Sequence, residues 1–114
     1  MPLSTTVDGA LVTLLVEGAI DSHLGNELKA AADVAVTNGQ RRIIVSLQRA
    51  KQANSAGLEG LVRAAQALSE AGARLALVGP SALLADIFKA TRLDRRLAIF
   101  DSTEQAIVSL QREF

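Results

Sequence analysis

Residues 52–60 read QANSAGLEG, a serine between an asparagine and an alanine, ahead of two glycines that open a leucine- and alanine-rich run. A serine in this setting has two chemical uses. If a helix begins at Ser55, its hydroxyl can accept a hydrogen bond from an otherwise unpaired N–H of the first turn. The same geometry exposes the hydroxyl to a kinase, and the helix start favours the negative charge of an added phosphate. Gly57 and Gly60 lower helix propensity in those first turns and leave the local surface bare, which suits a close approach by something else.

Other residues with chemical potential are sparse. The only histidine, His23, stands beside Asp21 and Ser22 at the start of an expected helix. A nucleophilic triad of Ser55, His23 and an aspartate would call for a nucleophile elbow of the G-x-S-x-G type, which does not surround Ser55. A metal site would need companions for His23, yet it has no second histidine, no cysteine and no close pair of carboxylates beside it. GPSALLAD, residues 79–86, lacks the glycine spacing of a dinucleotide loop and the lysine of a triphosphate loop, and reads as a turn and a helix start. No enzyme, metal or cofactor is expected. Lys89, Arg92, Arg95 and Arg96, with Asp94 interspersed, could contact a phosphate or an acidic partner, but a solvated helix end, where positive charge suits the dipole, is the preferred reading.

The composition narrows the setting. A chain of 114 residues suits one domain spanning 1–114. Hydrophobic residues make up 49% of it, yet only Phe88, Phe100 and Phe114 are aromatic, so Leu, Ile, Val and Ala must build the core. Twelve basic residues balance twelve acidic ones, leaving no overall field to draw the protein onto nucleic acid or an anionic bilayer. Tyrosine and tryptophan, the best stacking platforms for single-stranded bases, are absent. The lack of cysteine excludes disulfides and thiolate chemistry. The start MPLSTTVDG has no secretory pattern, and the most apolar stretch, Ala10 to Ile20, is too short to span a bilayer and contains Glu17. A cytoplasmic protein without a membrane span is expected.

The elements that must position Ser55 follow from periodicity. TTVDGALVTLLV predicts two strands turning at Asp8-Gly9. From Asp21 the spacing of Leu24, Leu28, Ala31 and Ala35 predicts a helix, capped by Asp21 or Ser22 and ended by Asn38-Gly39. RRIIVSL gives a strand at about Arg42 to Leu47, and the polar QRAKQAN leads into a helix with Leu58, Leu61, Val62, Ala65 and Leu68 on one face, ending at Gly72. ARLALVG is the next strand. Ser81 caps a helix carrying Leu83, Leu84, Ile87 and Phe88, and RLAIF makes a last strand. Ser102 and Gln105 resemble a capping box for a closing helix that buries Ala106, Ile107 and Leu110. Strands alternating with helices predict an α/β domain: a mainly parallel sheet with an N-terminal β-hairpin and about four helices.

Taken whole, the sequence resembles a STAS domain, the family of the bacterial anti-sigma-factor antagonists. VEGAIDSHLGNEL, residues 16–28, is similar to the family's Gly-x-(Leu/Ile)-Asp segment entering the first helix, and IIVSLQRAKQANSAGLEGLV to its strand, loop and Asp-Ser-(Ser/Ala)-Gly-Leu phosphorylation motif. RLALVGPSALLADIFKATRLDRRLAIFDSTEQAI follows the family's final strand-helix-strand-helix pattern, with the late Ser-x-Glu-x-Ala.

The resemblance implies that Ser55 occupies the position phosphorylated by a partner kinase. It also implies a binding surface of Asp21, Ser22, Asn54, Ser55, Ala56, Gly57 and Leu58. In the family's partner switch the unphosphorylated antagonist binds a kinase-like anti-sigma factor and frees the sigma factor, and phosphorylation breaks that complex. Three departures stand out. Asn54 and Ser46 replace family aspartates expected beside the phosphosite, and the intervening loop, commonly apolar, reads Arg49-Ala50-Lys51-Gln52-Ala53. Fewer carboxylates would lower the repulsion on a phosphate of about −1.5 to −2 charges, which Arg49 or Lys51 could pair. The same departures suit a different role, a STAS scaffold or an accessory subunit of a signalling complex or of an ABC transporter, partnered by its ATPase, that no longer switches.

Overall fold

The structure, a computed structural model, describes residues 3–113. Two strands, β1 (Leu3–Asp8) and β2 (Leu11–Ile20), form an antiparallel hairpin in which Asp8 faces Leu11 across a two-residue turn. Gly9 takes the positive φ of +60° at the first turn position, where tight hairpins favour glycine. β3 (Arg42–Ala53), β4 (Arg74–Val78) and β5 (Ala98–Phe100) then add in parallel, giving a five-stranded sheet in sequence order, β1-β2-β3-β4-β5. The expected α/β domain with an N-terminal hairpin and four α-helices is therefore the one observed.

Sequential strand order decides where the helices go. Each parallel crossover advances one strand in the same direction, so crossovers of one hand place their helices on one face of the sheet. The three crossover helices, α1 (Ser22–Thr37), α2 (Ser55–Glu70) and α3 (Ala82–Ala90), share that face. Their Leu24, Leu28, Leu61, Leu84 and Phe88 pack on Val12, Leu14, Ile43, Val45 and Leu77. Helix α4 (Thr103–Glu113) follows the last strand and has no crossover to complete; it covers the opposite face, where Ala106 and Leu110 pack on Ile44, Ala76 and Val78. Leu83, grouped by spacing with the apolar side of α3, is 57% exposed, while Leu84 and Phe88 are buried.

The third strand is longer than its apolar run. QRAKQAN reads as a polar lead-in, yet β3 continues to Ala53. Past Ser46 it pairs with β2 alone, matching Glu17 to Arg49, Gly18 to Ala50, Ala19 to Gln52 and Ile20 to Ala53. With a neighbour on one side only, Gln48, Arg49, Lys51 and Gln52 stay exposed and supply no apolar pattern. Register shifts between Leu15 and Glu17 and between Gly18 and Ala19 also interrupt the period of two on which strand prediction depends.

Helices α1 and α2 meet at their backbones. A Cβ added to Gly60 would lie 2.8 Å from the Cα of Gly25. Nothing external needs to approach Gly60; its own neighbour already does. Gly60→Val should push the helices apart and destabilise the fold by about 2 kcal/mol or more, read as a lower urea midpoint at unchanged slope.

Candidate functional site

The parallel strands β2 and β3 end side by side, with Ile20 opposite Ala53, and each feeds a helix. Asp21 caps α1, its Oδ1 accepting from the Leu24 N–H at 2.9 Å. Asn54 caps α2, its Oδ1 accepting from the Gly57 N–H at 2.9 Å. The Asn54 N–H in turn donates to the Ile20 carbonyl at 3.1 Å, tying one helix start to the strand that precedes the other. Gly57 closes the junction: a Cβ there would fall 2.0 Å from the Ile20 oxygen. The glycine is required because the β2 carbonyl occupies the space of a side chain, not because a partner must reach the surface.

This corrects the expected role of Ser55. The cap of α2 is Asn54, in extended backbone geometry, and Ser55 is the first helical residue. Its side chain is exposed, and among the described residues its hydroxyl makes no hydrogen bond. An asparagine serves as well as an aspartate in this capping role, so the amide at position 54 keeps the helix start without placing a negative charge beside the serine.

The expected surface residues divide by burial. Ser22, Asn54, Ser55 and Ala56 are exposed, Asp21 is half-buried, and Gly57 and Leu58 are buried. Ser22 and Ala56 line one depression, of 390 Å³, together with Gly25, Asn26 and Gly60 between α1 and α2. Ser55 opens onto another, of 370 Å³, between α2 and the segment after α3. Leu58 and Val62 form its near side; Thr91, Leu93 and Arg96 form the far side. Glu59 and Arg63 line both depressions, and their exposed contact of 3.4 Å makes a ridge between the two.

The far side depends on a turn that the sequence does not announce. After α3 the chain reverses at Arg92, whose φ of 61° and ψ of 19° lie in the left-handed region, uncommon for a residue with a side chain. A short 3-10 turn, η1 (Leu93–Arg95), follows. Leu93, its first residue, and Leu97, just beyond it, are buried and hold Arg96 at the rim of the Ser55 depression. Arg96, assigned from the sequence to a solvated helix end, thus belongs to the site. Its clue was the i, i+4 spacing of Leu93 and Leu97, which marks an anchored turn.

Other candidates lie elsewhere. His23 is exposed on the first turn of α1, with its Nε2 2.7 Å from Glu27 Oε1, and lines neither depression. Arg49 lies on β3, 3.8 Å from Glu17, and neither it nor Lys51 lines the Ser55 depression. Ser46 is 8% exposed and pairs with Leu15 and Val78. Strand alternation puts it on the α4 face with Ile44, away from α2, so it is not beside Ser55 as expected. Among the described residues no group of three or more His, Cys, Asp or Glu side chains could hold a metal ion, and no helix is long and apolar enough to cross a membrane.

Fold and site together define a small α/β domain that presents the starts of two adjacent helices at the carboxyl ends of its strands. The sequence matches the STAS domain family over residues 2–106, and the chain belongs to that family. Solved structures of similar fold include an anti-sigma factor antagonist from Mycobacterium paratuberculosis, 16% identical, with a TM-score of 0.80 over 96% of this chain and 92% of that one. The Bacillus cell fate determinant SpoIIAA in its phosphorylated form is 21% identical, with a TM-score of 0.68 over 94% and 97% of the two chains. A sulfate transporter family protein from Wolinella succinogenes is 18% identical, with a TM-score of 0.80 over 95% and 90%. At these identities the likeness is one of fold. No curated protein matches the sequence.

The reassigned cap has a direct consequence for stability. Asn54→Ala should cost about 1 kcal/mol, whereas Ser55→Ala should stay within about 0.5 kcal/mol of the parent in urea unfolding. The opposite ranking would return the cap to Ser55.

Proposed function

We propose that this domain is an anti-sigma-factor antagonist that binds a kinase-like anti-sigma factor through the exposed residues at the starts of α1 and α2, and that phosphorylation of Ser55 weakens the complex. The observation that carries this reading is the division of labour at residues 54 and 55. Asn54 makes the cap, so the Ser55 hydroxyl is exposed and takes no part in holding the helix. Membership of the STAS family and the folds of anti-sigma factor antagonists support it.

In the transfer, the Ser55 oxygen bonds to the terminal phosphorus of a nucleoside triphosphate. The bond from that phosphorus to the bridging oxygen breaks, the diphosphate leaves with the electron pair, and the hydroxyl proton passes to a base on the kinase. The product places about −1.5 to −2 charges on a surface that was neutral at that point, which changes what can dock there.

A second reading, a fixed STAS subunit partnered by a transporter ATPase or another assembly, is favoured by the neutral Asn54 and by the fold shared with a sulfate transporter family protein. One experiment separates the two. Wild type, Ser55→Ala and Ser55→Asp are used as baits in the native host, with the bound proteins quantified by mass spectrometry. A kinase-like protein held by wild type and Ser55→Ala but reduced at least tenfold on Ser55→Asp is the expected result. A transporter ATPase or other assembly held equally by all three baits would favour the fixed subunit and overturn the switch.

A further inference from the structure

Resting on the reading of Ser55 as a phosphorylation site, we infer that the depression beside α2 is the receptor for that phosphate within the same chain, with Arg96 as its principal ligand and Arg63 as its second. Arg96 lines the depression onto which Ser55 opens, and among the described residues it has no ion pair. Arg63 lines it too, engaged only by Glu59 through an exposed contact of 3.4 Å. A phosphate dianion competes well for such a side chain, because guanidinium groups bind phosphate through two parallel hydrogen bonds.

Charge and backbone agree with this assignment. The chain carries no net charge, yet between residues 89 and 96 Lys89, Arg92, Arg95 and Arg96 face a single acid, Asp94. The left-handed Arg92 turns this cluster back after α3, and buried Leu93 and Leu97 pin the turn so that Arg96 stands at the rim rather than on a free helix end. Such a backbone conformation is maintained by its surroundings, and it tends to mark places with a task. Leu58, Val62 and Leu93 give the depression apolar walls that exclude water from one side of any ion pair formed there. The charged groups lining it are Glu59, Arg63 and Arg96; Glu59 opposes the phosphate, and Arg63 lies next to it.

On this assignment phosphorylation acts by filling. The phosphate would tie the start of α2 to the turn after α3, occupy the depression and neutralise its arginines, so that a partner reading this surface meets a closed groove. No acidic neighbour of Ser55 is needed for such a switch, which fits the amide at Asn54.

The test uses the full chain with phosphoserine installed at position 55 during translation, followed by a ³¹P chemical-shift titration at low salt. Wild type, Arg96→Gln and Arg95→Gln are compared with an unstructured phosphopeptide of the same local sequence. The second phosphate pKa, about 6 when unstructured, should fall by about half a unit or more in the folded protein. Arg96→Gln should recover at least half of that fall, and Arg95→Gln little of it. The Arg96→Gln comparison separates the arginine from the helix start, which lowers the value in every variant. A peptide-like value in wild type, or equal effects of the two substitutions, overturns the assignment. Both arginines are exposed, and circular dichroism confirms that the variants fold. Since the phosphate is installed without a kinase, an unshifted titration removes the receptor alone, while failure of the bait experiment removes the switch alone.

Discussion

The contact between Gly57 and the Ile20 carbonyl is the constraint on which the site depends. Two parallel strands that end in register bring their following helices so close that the first turn of α2 lies against the backbone of β2. Only a residue without a side chain fits there. The same closeness lets the Asn54 N–H reach Ile20 and brings α1 and α2 into backbone contact at Gly25 and Gly60. Ser55 is therefore mounted on a rigid junction, with its position fixed by backbone rather than by side chains that could repack.

Topology explains why the exposed residues gather at one edge. Every parallel strand points the same way, so the loops after Ile20, Ala53, Val78 and Phe100 open on a common side, where Asp21, Asn54 and Ser81 each cap a helix. Sequential strand order puts three helices on one face and makes grooves between neighbours there. One groove follows α1 and α2; the other follows α2 and the turn after α3. Ser55 opens onto the second, and Ser22 onto the first, with the Glu59–Arg63 ridge between them. The surface implied by the family resemblance is thus two depressions sharing a helix.

Electrostatics at this surface is local. A chain with equal numbers of acids and bases carries no net charge, and at physiological salt exposed charges are screened over about 8 Å. Charge at this surface therefore acts at short range, through individual side chains such as Arg63 and Arg96. The exposed ion pairs Glu17–Arg49 and Glu59–Arg63 contribute little to stability, which leaves their arginines available to an incoming anion.

The sequence by itself determined the α/β class, the number of helices, the hairpin, most helix ends and the family, because each rests on local periodicity, on turn and cap chemistry, or on a pattern running along nearly the whole chain. It also singled out Ser55. It left capping as one of two uses open to Ser55 and did not point to Asn54, since either residue can cap and only backbone geometry distinguishes the extended residue from the first helical one. The length of β3 was hidden because pairing with a single neighbour leaves its residues polar. Only the tertiary structure decided that Ser46 faces away from α2, that Gly57 and Gly60 serve contacts within the chain, and that Arg96 shares a depression with Ser55. Those relations join residues up to about forty positions apart, and they follow from how helices cross a sheet, which no local spacing encodes.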